Sequence, residues 1–210
     1  MMKHFRLLFS LLLASSSIFA LRGADAAPNI LFYGDSLTAG YGLEDPTTQA
    51  FPGVIQTKLD DAGLNYRVIN AGLSGETSSG GIRRIDWVLR QPVAVFVLEL
   101  GGNDGLRGLP LDLLRDNLQK IIARVRAKNS DVIVLLAGMQ MPPSMGAYAD
   151  DFADLYPALA ETSDATLIPH LLEGVGGIPA MNLPDGIHPT PAGHKLVAEN
   201  VWTVLRPLLE

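Results

Sequence analysis

The sequence predicts an α/β protein of three layers, a parallel five-stranded sheet with helices on both faces. Three observations carry this. Short apolar runs recur along the chain, each closed by a cluster of Gly, Asn, Asp or Pro, and between them lie stretches with apolar residues at helical spacing. Residues 93–100 are apolar apart from Glu99, the mark of a strand buried on both faces. Strands that alternate with helices in this way form a parallel sheet joined by right-handed crossovers.

The first strand is expected over residues 29–33. Gly34 breaks the run and permits a sharp turn. Ser36 follows at the strand's C-terminal end, where open α/β sheets bind ligands. Residues 38–48 read as a Gly-rich loop. Pro52 opens a helix carrying Val54, Ile55, Leu59 and Ala62, and Gly63 stops it. Residues 66–70 are the second strand, followed by a Gly/Ser/Thr-rich loop over 71–81. Ile82, Ile85, Val88 and Leu89 mark a helix that ends before Pro92. After the central strand at 93–100, Gly101-Gly102-Asn103-Asp104-Gly105 forms a stop. Pro110 starts a long helix with Leu111, Leu114, Leu118, Ile121, Ile122 and Val125 in one stripe. Residues 132–137 are the fourth strand, 139–146 an irregular loop, 148–160 a helix and 166–168 a short fifth strand. Residues 171–184 are Gly-rich and have no regular pattern. The last helix begins at Pro191 with Thr190 as its cap.

The chain has 210 residues, 48% of them hydrophobic, enough for one domain with a sizeable core. It contains no cysteine, which excludes disulfides and thiolate metal sites. A formal charge of −6 argues against nucleic acid as a partner. Lys3, His4 and Arg6 precede an apolar run over 7–21, and Ala24-Asp25-Ala26 is a small-x-small cleavage site. That order reads as a secretory signal peptide over residues 1–26, too short in its apolar part for a membrane span. Cleavage near Ala26 leaves a domain over 27–210 in the periplasm or the medium, with no stable membrane insertion.

Four loops carry residues with chemical potential. They are Gly34-Asp35-Ser36, Asn70-Ala71-Gly72-Leu73-Ser74-Gly75-Glu76-Thr77, Gly101-Gly102-Asn103-Asp104 and Asp185-Gly186-Ile187-His188. The first three follow strands, so in a parallel sheet their tips lie on one edge. A serine hydroxyl needs a base to become a nucleophile, and imidazole suits that task near neutral pH. His188 is the candidate base, and Asp185, three residues earlier, can orient its ring. Acyl transfer also needs donors for the oxyanion of a tetrahedral intermediate. The Ser36 N–H, the Gly75 N–H and the Asn103 amide are the candidates, with Gly72 as a second glycine. No His/Asp/Glu cluster has metal-ligand spacing, and no G-x-S-x-G elbow, P-loop or dinucleotide fingerprint is present.

These four blocks, in this order and spacing, resemble those of the SGNH (GDSL-type) hydrolases and span nearly the whole chain after the leader. The resemblance implies a flavodoxin-like sheet, a Ser36-His188-Asp185 triad, and Ser36, Gly75 and Asn103 as oxyanion donors, with no cofactor and no metal. Gly34-Asp35-Ser36-Leu37-Thr38-Ala39-Gly40-Tyr41 and Glu99-Leu100-Gly101-Gly102-Asn103-Asp104-Gly105-Leu106-Arg107-Gly108 are similar to the periplasmic acyl-CoA thioesterase, lysophospholipase and arylesterase subgroup. That implies small-molecule acyl esters, thioesters or lysolipids as substrates. A carbohydrate acetylesterase, or a non-catalytic exported binding protein, are the alternatives on the same fold.

Other polar residues have plainer expectations. Asp35 and Asp104 brace their loops, and Glu99 has a structural partner. His170 and His194, with no acid at comparable spacing, read as surface or cap histidines. Met139, Met141 and Met145 either line an acyl site or fill gaps.

Overall fold

The computed structural model describes residues 26–209. The expected leader lies outside the described residues up to position 25. The fold starts with β1 (Asn29–Gly34), buried from Ile30 onward. Its side chains alternate between the faces of the sheet. The Phe32 ring meets Phe51 edge-on at 5.5 Å between centroids. Tyr33, next in the chain, lies against Phe96 and donates its hydroxyl to the Gly81 carbonyl at 2.6 Å. One apolar run therefore anchors helices on both faces.

The strands are β1, β2 (Arg67–Asn70), β3 (Val95–Glu99), β4 (Ile133–Ala137) and β5 (Thr166–Ile168). Every pairing is parallel and the spatial order is β2-β1-β3-β4-β5. This is the flavodoxin-like order, in which the sequence of strands reverses between β1 and β3. Gly34 stands opposite Glu99 in the register there. β3 is buried at all five positions, as its composition predicts.

The helices are α1 (Ser36–Ala39), α2 (Pro46–Gln49), α3 (Phe51–Asp61), α4 (Ser78–Val88), α5 (Gly102–Leu106), α6 (Leu111–Lys128), α7 (Ala147–Thr162) and α8 (Pro191–Leu205). α3 packs with α8 over one face of the sheet, and α4, α6 and α7 pack in a row over the other. Leu114, Leu118, Ile121, Ile122 and Val125 are the buried stripe of α6. Among the described residues no helix is long and apolar enough to cross a membrane.

The structure corrects the expected loops in four places, three of them through a side-chain cap. Ser36 opens the one-turn helix α1, where Asp35 accepts from the Leu37 N–H at 3.0 Å and Gly40 closes the turn at φ 77°. Asp45 caps α2 through the Thr47 N–H at 3.1 Å. Thr77 caps α4 through the Gly80 N–H, so that helix begins at Ser78 rather than near Ile82. The glycines of 101–105 do not end in a loop; α5 follows at once.

Of the two expectations for His194, surface or cap, the structure shows the second. It is 1% exposed, at the crossing of α8 and α3. Its Nδ1 accepts from the Phe51 N–H at 3.2 Å and its ring stacks on Phe51 at 6.3 Å. Burial, helped by the charge of His188, pulls its pKa down to about 4 from 6.5. A histidine held neutral in the fold contributes stability that is complete above pH 6.5 and is lost as pH falls toward 4. The loss is about 3 kcal/mol at pH 4. Denaturant titrations should show wild-type stability falling between pH 7 and pH 4 by about this much more than that of His194→Gln. An equal fall in both proteins would contradict it.

Candidate active site

The edge of the sheet at the C-terminal ends of β1, β2 and β3 gathers the three strand-end loops. The Asp185–His188 loop reaches the same edge from the start of α8. Its shape is set locally. Asp185 Oδ1 accepts from the Ile187 and His188 N–H groups, both at 3.1 Å, and Gly186 sits at φ 78°. Leu183 N–H donates to the His188 carbonyl at 2.7 Å, and Thr190 caps α8 just beyond.

This loop brings the imidazole to the serine. His188 Nε2 lies 2.9 Å from Ser36 Oγ, and His188 Nδ1 lies 2.7 Å from Asp185 Oδ2. The three residues, 149 or more positions apart between serine and acid, form one hydrogen-bonded chain. Bonding to the His188 ring first, and to the backbone N–H groups of His188 and Ile187 next, holds the Asp185 carboxyl down at about 2. Asp185 is therefore ionised wherever an imidazolium forms beside it. The Tyr41 ring lies 4.5 Å from the His188 ring and covers its flank.

The expected oxyanion donors differ in state. In the first turn of α1, Leu37 N–H is taken by Asp35 and Thr38 N–H by Glu99, and Ser36 N–H has no internal partner among the described residues. Gly75 sits at φ 78° and its N–H is likewise without a partner there; a Cβ would meet nothing within 4 Å, so the backbone angle alone requires glycine. Gly72 is different. Its N–H donates to Asn70 Oδ1 at 2.9 Å, and a Cβ would stand 2.2 Å from the Ala39 nitrogen. Gly72 therefore serves the close approach of this loop to α1. Asn103 Nδ2 donates to Asp35 Oδ2 at 2.9 Å and to the Glu76 carbonyl at 3.0 Å. Both its amide hydrogens are engaged, so a bond to substrate requires one of these to be shared or exchanged.

A buried polar scaffold holds the loops together. Asp35 is 2% exposed, and burial pushes its pKa up to about 6 against the bonds from Leu37 and Asn103. Asp104 binds Ser78 rather than its own loop, accepting from the N–H at 2.8 Å and the hydroxyl at 2.6 Å. This ties α5 to the start of α4. Glu76 and Arg84 form a buried ion pair, with Arg84 Nε 2.9 and 3.0 Å from the two carboxylate oxygens and a further bond from Nη2 to Oε2. The Arg84 guanidinium lies 4.2 Å from the Tyr33 ring centre. Sequence reasoning missed this pair, although Glu76 follows the Gly75 loop and Arg84 falls two helical turns later. Arg107 Nη2 donates to the Gly75 carbonyl at 3.3 Å.

A cavity of about 650 Å³ opens beside Ser36 and His188. Met139, Met141, Leu171 and Leu172 line it, together with the exposed Tyr41 and Ile187. Met145 lies in the turn Pro143–Met145 and is not part of the lining. The patternless stretch after residue 171 supplies one wall, through Leu172 and the glycines that follow. His170 also lines the cavity and bonds Gln140 at 3.0 Å.

A serine, an imidazole and a carboxylate chained in this order, on a doubly wound sheet, are the architecture of a serine hydrolase. Within that class the family is defined by the whole chain. The chain belongs to the GDSL-like Lipase/Acylhydrolase family, whose pattern matches residues 32–196. It is 43% identical to the esterase TesA of Pseudomonas aeruginosa over 186 residues, covering 88% of this chain and 90% of that protein. It is 36% identical to thioesterase 1/protease 1/lysophospholipase L1 of Escherichia coli over 188 residues, covering 89% and 87%. The crystal structure of TesA superposes with a TM-score of 0.82 at 43% identity, covering 86% of this chain and 99% of that one.

The Gly75 geometry yields a direct test. Gly75→Ala places a side chain at φ 78° with no clash, so its cost is backbone strain of about 1–2 kcal/mol. The strained loop should turn its peptide away from the serine, so kcat should fall about 10²-fold while the fold persists. Steady-state kinetics with a circular-dichroism melt checks this; wild-type kcat in a folded variant would contradict it.

Proposed function

We propose that this protein is an exported hydrolase of acyl esters and thioesters that works through an acyl-enzyme on Ser36. The observation that carries the reading is the unbroken chain Ser36–His188–Asp185 at the mouth of an apolar cavity. His188 Nε2 takes the Ser36 proton as Oγ attacks the acyl carbonyl. Asp185 fixes the ring with Nδ1–H toward itself and stabilises the imidazolium. The Ser36 and Gly75 N–H groups face the oxyanion, and Asn103 joins them by exchanging a bond. His188 then protonates the leaving alkoxide or thiolate. Water enters, gives its proton to His188 and releases the acid, and Ser36 recovers its proton.

The cavity favours an acyl chain over acetyl. An acetyl group needs only a small pocket, whereas this cavity extends from the tip of β1 to the loops after β4 and β5 and is walled by Met and Leu side chains. Thioester and lysolipid substrates come from the names of the relatives, and lysolipid fits an acyl cavity that opens to solvent. The basic start, apolar run and Ala24-Asp25-Ala26 site support export to the periplasm or the medium, with cleavage near Ala26.

Ser36→Ala should keep the wild-type melt, lose fluorophosphonate labelling and lose turnover by about 10⁴–10⁶-fold. Full turnover in that variant would end the proposal. Across p-nitrophenyl esters from acetyl to palmitoyl, kcat/KM should peak beyond acetyl. A peak at acetyl with sharp decline thereafter would point to the acetylesterase alternative instead.

A further inference from the structure

Glu99 is the buried acid that the reaction does not use. It ends β3, is 0% exposed, and sits opposite Gly34 in the register of β1. Its carboxyl does not stay in its own strand. It reaches around the tip of β1 and meets the turn that holds Ser36. One oxygen, Oε2, accepts from three donors there: the Asp35 N–H at 3.1 Å, the Thr38 N–H at 3.2 Å and the Thr38 hydroxyl at 2.5 Å. The other oxygen, Oε1, is buried and has no hydrogen-bond partner among the described residues.

The asymmetry has a geometric reason. Glu99 Oε2 grips the backbone on both sides of Ser36, one residue before and two after. With Leu37 N–H held by Asp35, the grip leaves Ser36 N–H as the free donor of the turn among the described residues. Space for the carboxyl exists because position 34 is glycine. A Cβ there would stand 2.2 Å from Glu99 Oε2 and 2.1 Å from Thr38 Oγ1. The glycine of Gly34-Asp35-Ser36 is thus needed for what comes across from β3, beyond the turn itself.

Glu99 also lies four residues before Asn103 on the same rigid segment. The tip of β3 therefore carries an oxyanion candidate and the clamp on the nucleophile turn together. Burial first, and the charge of Asp35 next, push the Glu99 pKa well above the ordinary carboxyl range. A neutral carboxyl whose carbonyl oxygen accepts three bonds fits that environment.

We propose that Glu99 is a positioning residue of the hydrolysis, an acceptor that fixes the Ser36 turn against the Asn103 segment and aims the Ser36 N–H and Oγ at the reacting carbonyl. This rests on the acyl-enzyme reading above. It predicts that acceptor geometry matters and negative charge does not.

The test compares Glu99→Gln, Glu99→Leu and Thr38→Val on p-nitrophenyl butyrate, with circular-dichroism melts and fluorophosphonate labelling rates. Glu99→Gln keeps an oxygen for the three donors, so kcat should stay within about threefold of wild type. Glu99→Leu removes the acceptor, so kcat and the labelling rate should fall together by about 100-fold with KM changed less than about threefold. Thr38→Val removes one donor and should lower kcat about tenfold at unchanged KM, which keeps the test alive if Glu99→Leu does not fold. A purely structural role would shift the melts and leave kcat of the folded variants alone; that result overturns the proposal. So does a Gln variant as slow as the Leu variant, which would assign the effect to charge. A wild type that neither turns over nor labels would instead sink the acyl-enzyme reading and is recognised before any variant is made.

Discussion

The structure depends on the reversal of strand order between β1 and β3. Crossovers on either side of that point run to opposite faces, so the helices diverge and leave a crevice above the strand tips. Ser36 follows β1 and Asn103 follows β3, so the proposed nucleophile and the amide flank the crevice without any special device. β2 brings the Gly75 loop in from one side. β4 and β5 bring the Met139 and Leu171 walls in from the other. A parallel sheet delivers all of these to one edge, and only the Asp185–His188 loop arrives by another route. That loop carries its own stiffening, since Asp185 binds the backbone of the residue that it also orients.

The polar groups beneath the site show how tightly that edge is held. Asp35, Glu76, Glu99 and Asp104 are all buried carboxyls within a few residues of a reacting group or its donor. Isolated, each would be costly. Three of them spend their acceptors on a neighbouring loop: Asp35 on Asn103, Glu99 on the Ser36 turn, Asp104 on Ser78. Glu76 takes Arg84, whose guanidinium is in turn stacked on Tyr33 of β1. The result is a lattice that crosses between strands at their tips, where backbone ladder bonds have ended. Loop positions that would otherwise drift are referred back to the sheet.

Much of this was legible in the residues. The apolar runs at 29–33 and 93–100, and the stripe on α6, reported the sheet and its cover because burial on both faces or on one leaves a direct imprint on composition. The meeting of Ser36, His188 and Asp185 was legible because few residue types can do the chemistry proposed and these sit at loop positions. Less legible were the short helices. α1 and α2 are started by single aspartate caps and α5 follows a glycine at positive φ, and neither device produces a periodic pattern. For His194 the choice between surface and cap was not legible, because a histidine inside an apolar helix face looks the same whether its ring points out or caps a neighbouring helix; the structure shows the cap. The Glu76–Arg84 pair and the reach of Asp104 to Ser78 depend on which loops become neighbours, which spacing along the chain does not encode.

The central claim is that four loops converge so that one carbonyl is held by Ser36, Gly75 and Asn103 while His188 serves the hydroxyl. A crystal structure of the enzyme phosphonylated by a monoalkyl fluorophosphonate tests this most directly. The account predicts phosphorus on Ser36 Oγ, its alkyl group along the Met139–Leu172 cavity, and its phosphoryl oxygen about 2.7–3.1 Å from the Ser36 and Gly75 nitrogens and from Asn103 Nδ2, with the Asn103–Asp35 or Asn103–Glu76 bond lengthened. A phosphoryl oxygen turned to solvent, with Asn103 still holding both of its internal bonds, would contradict it.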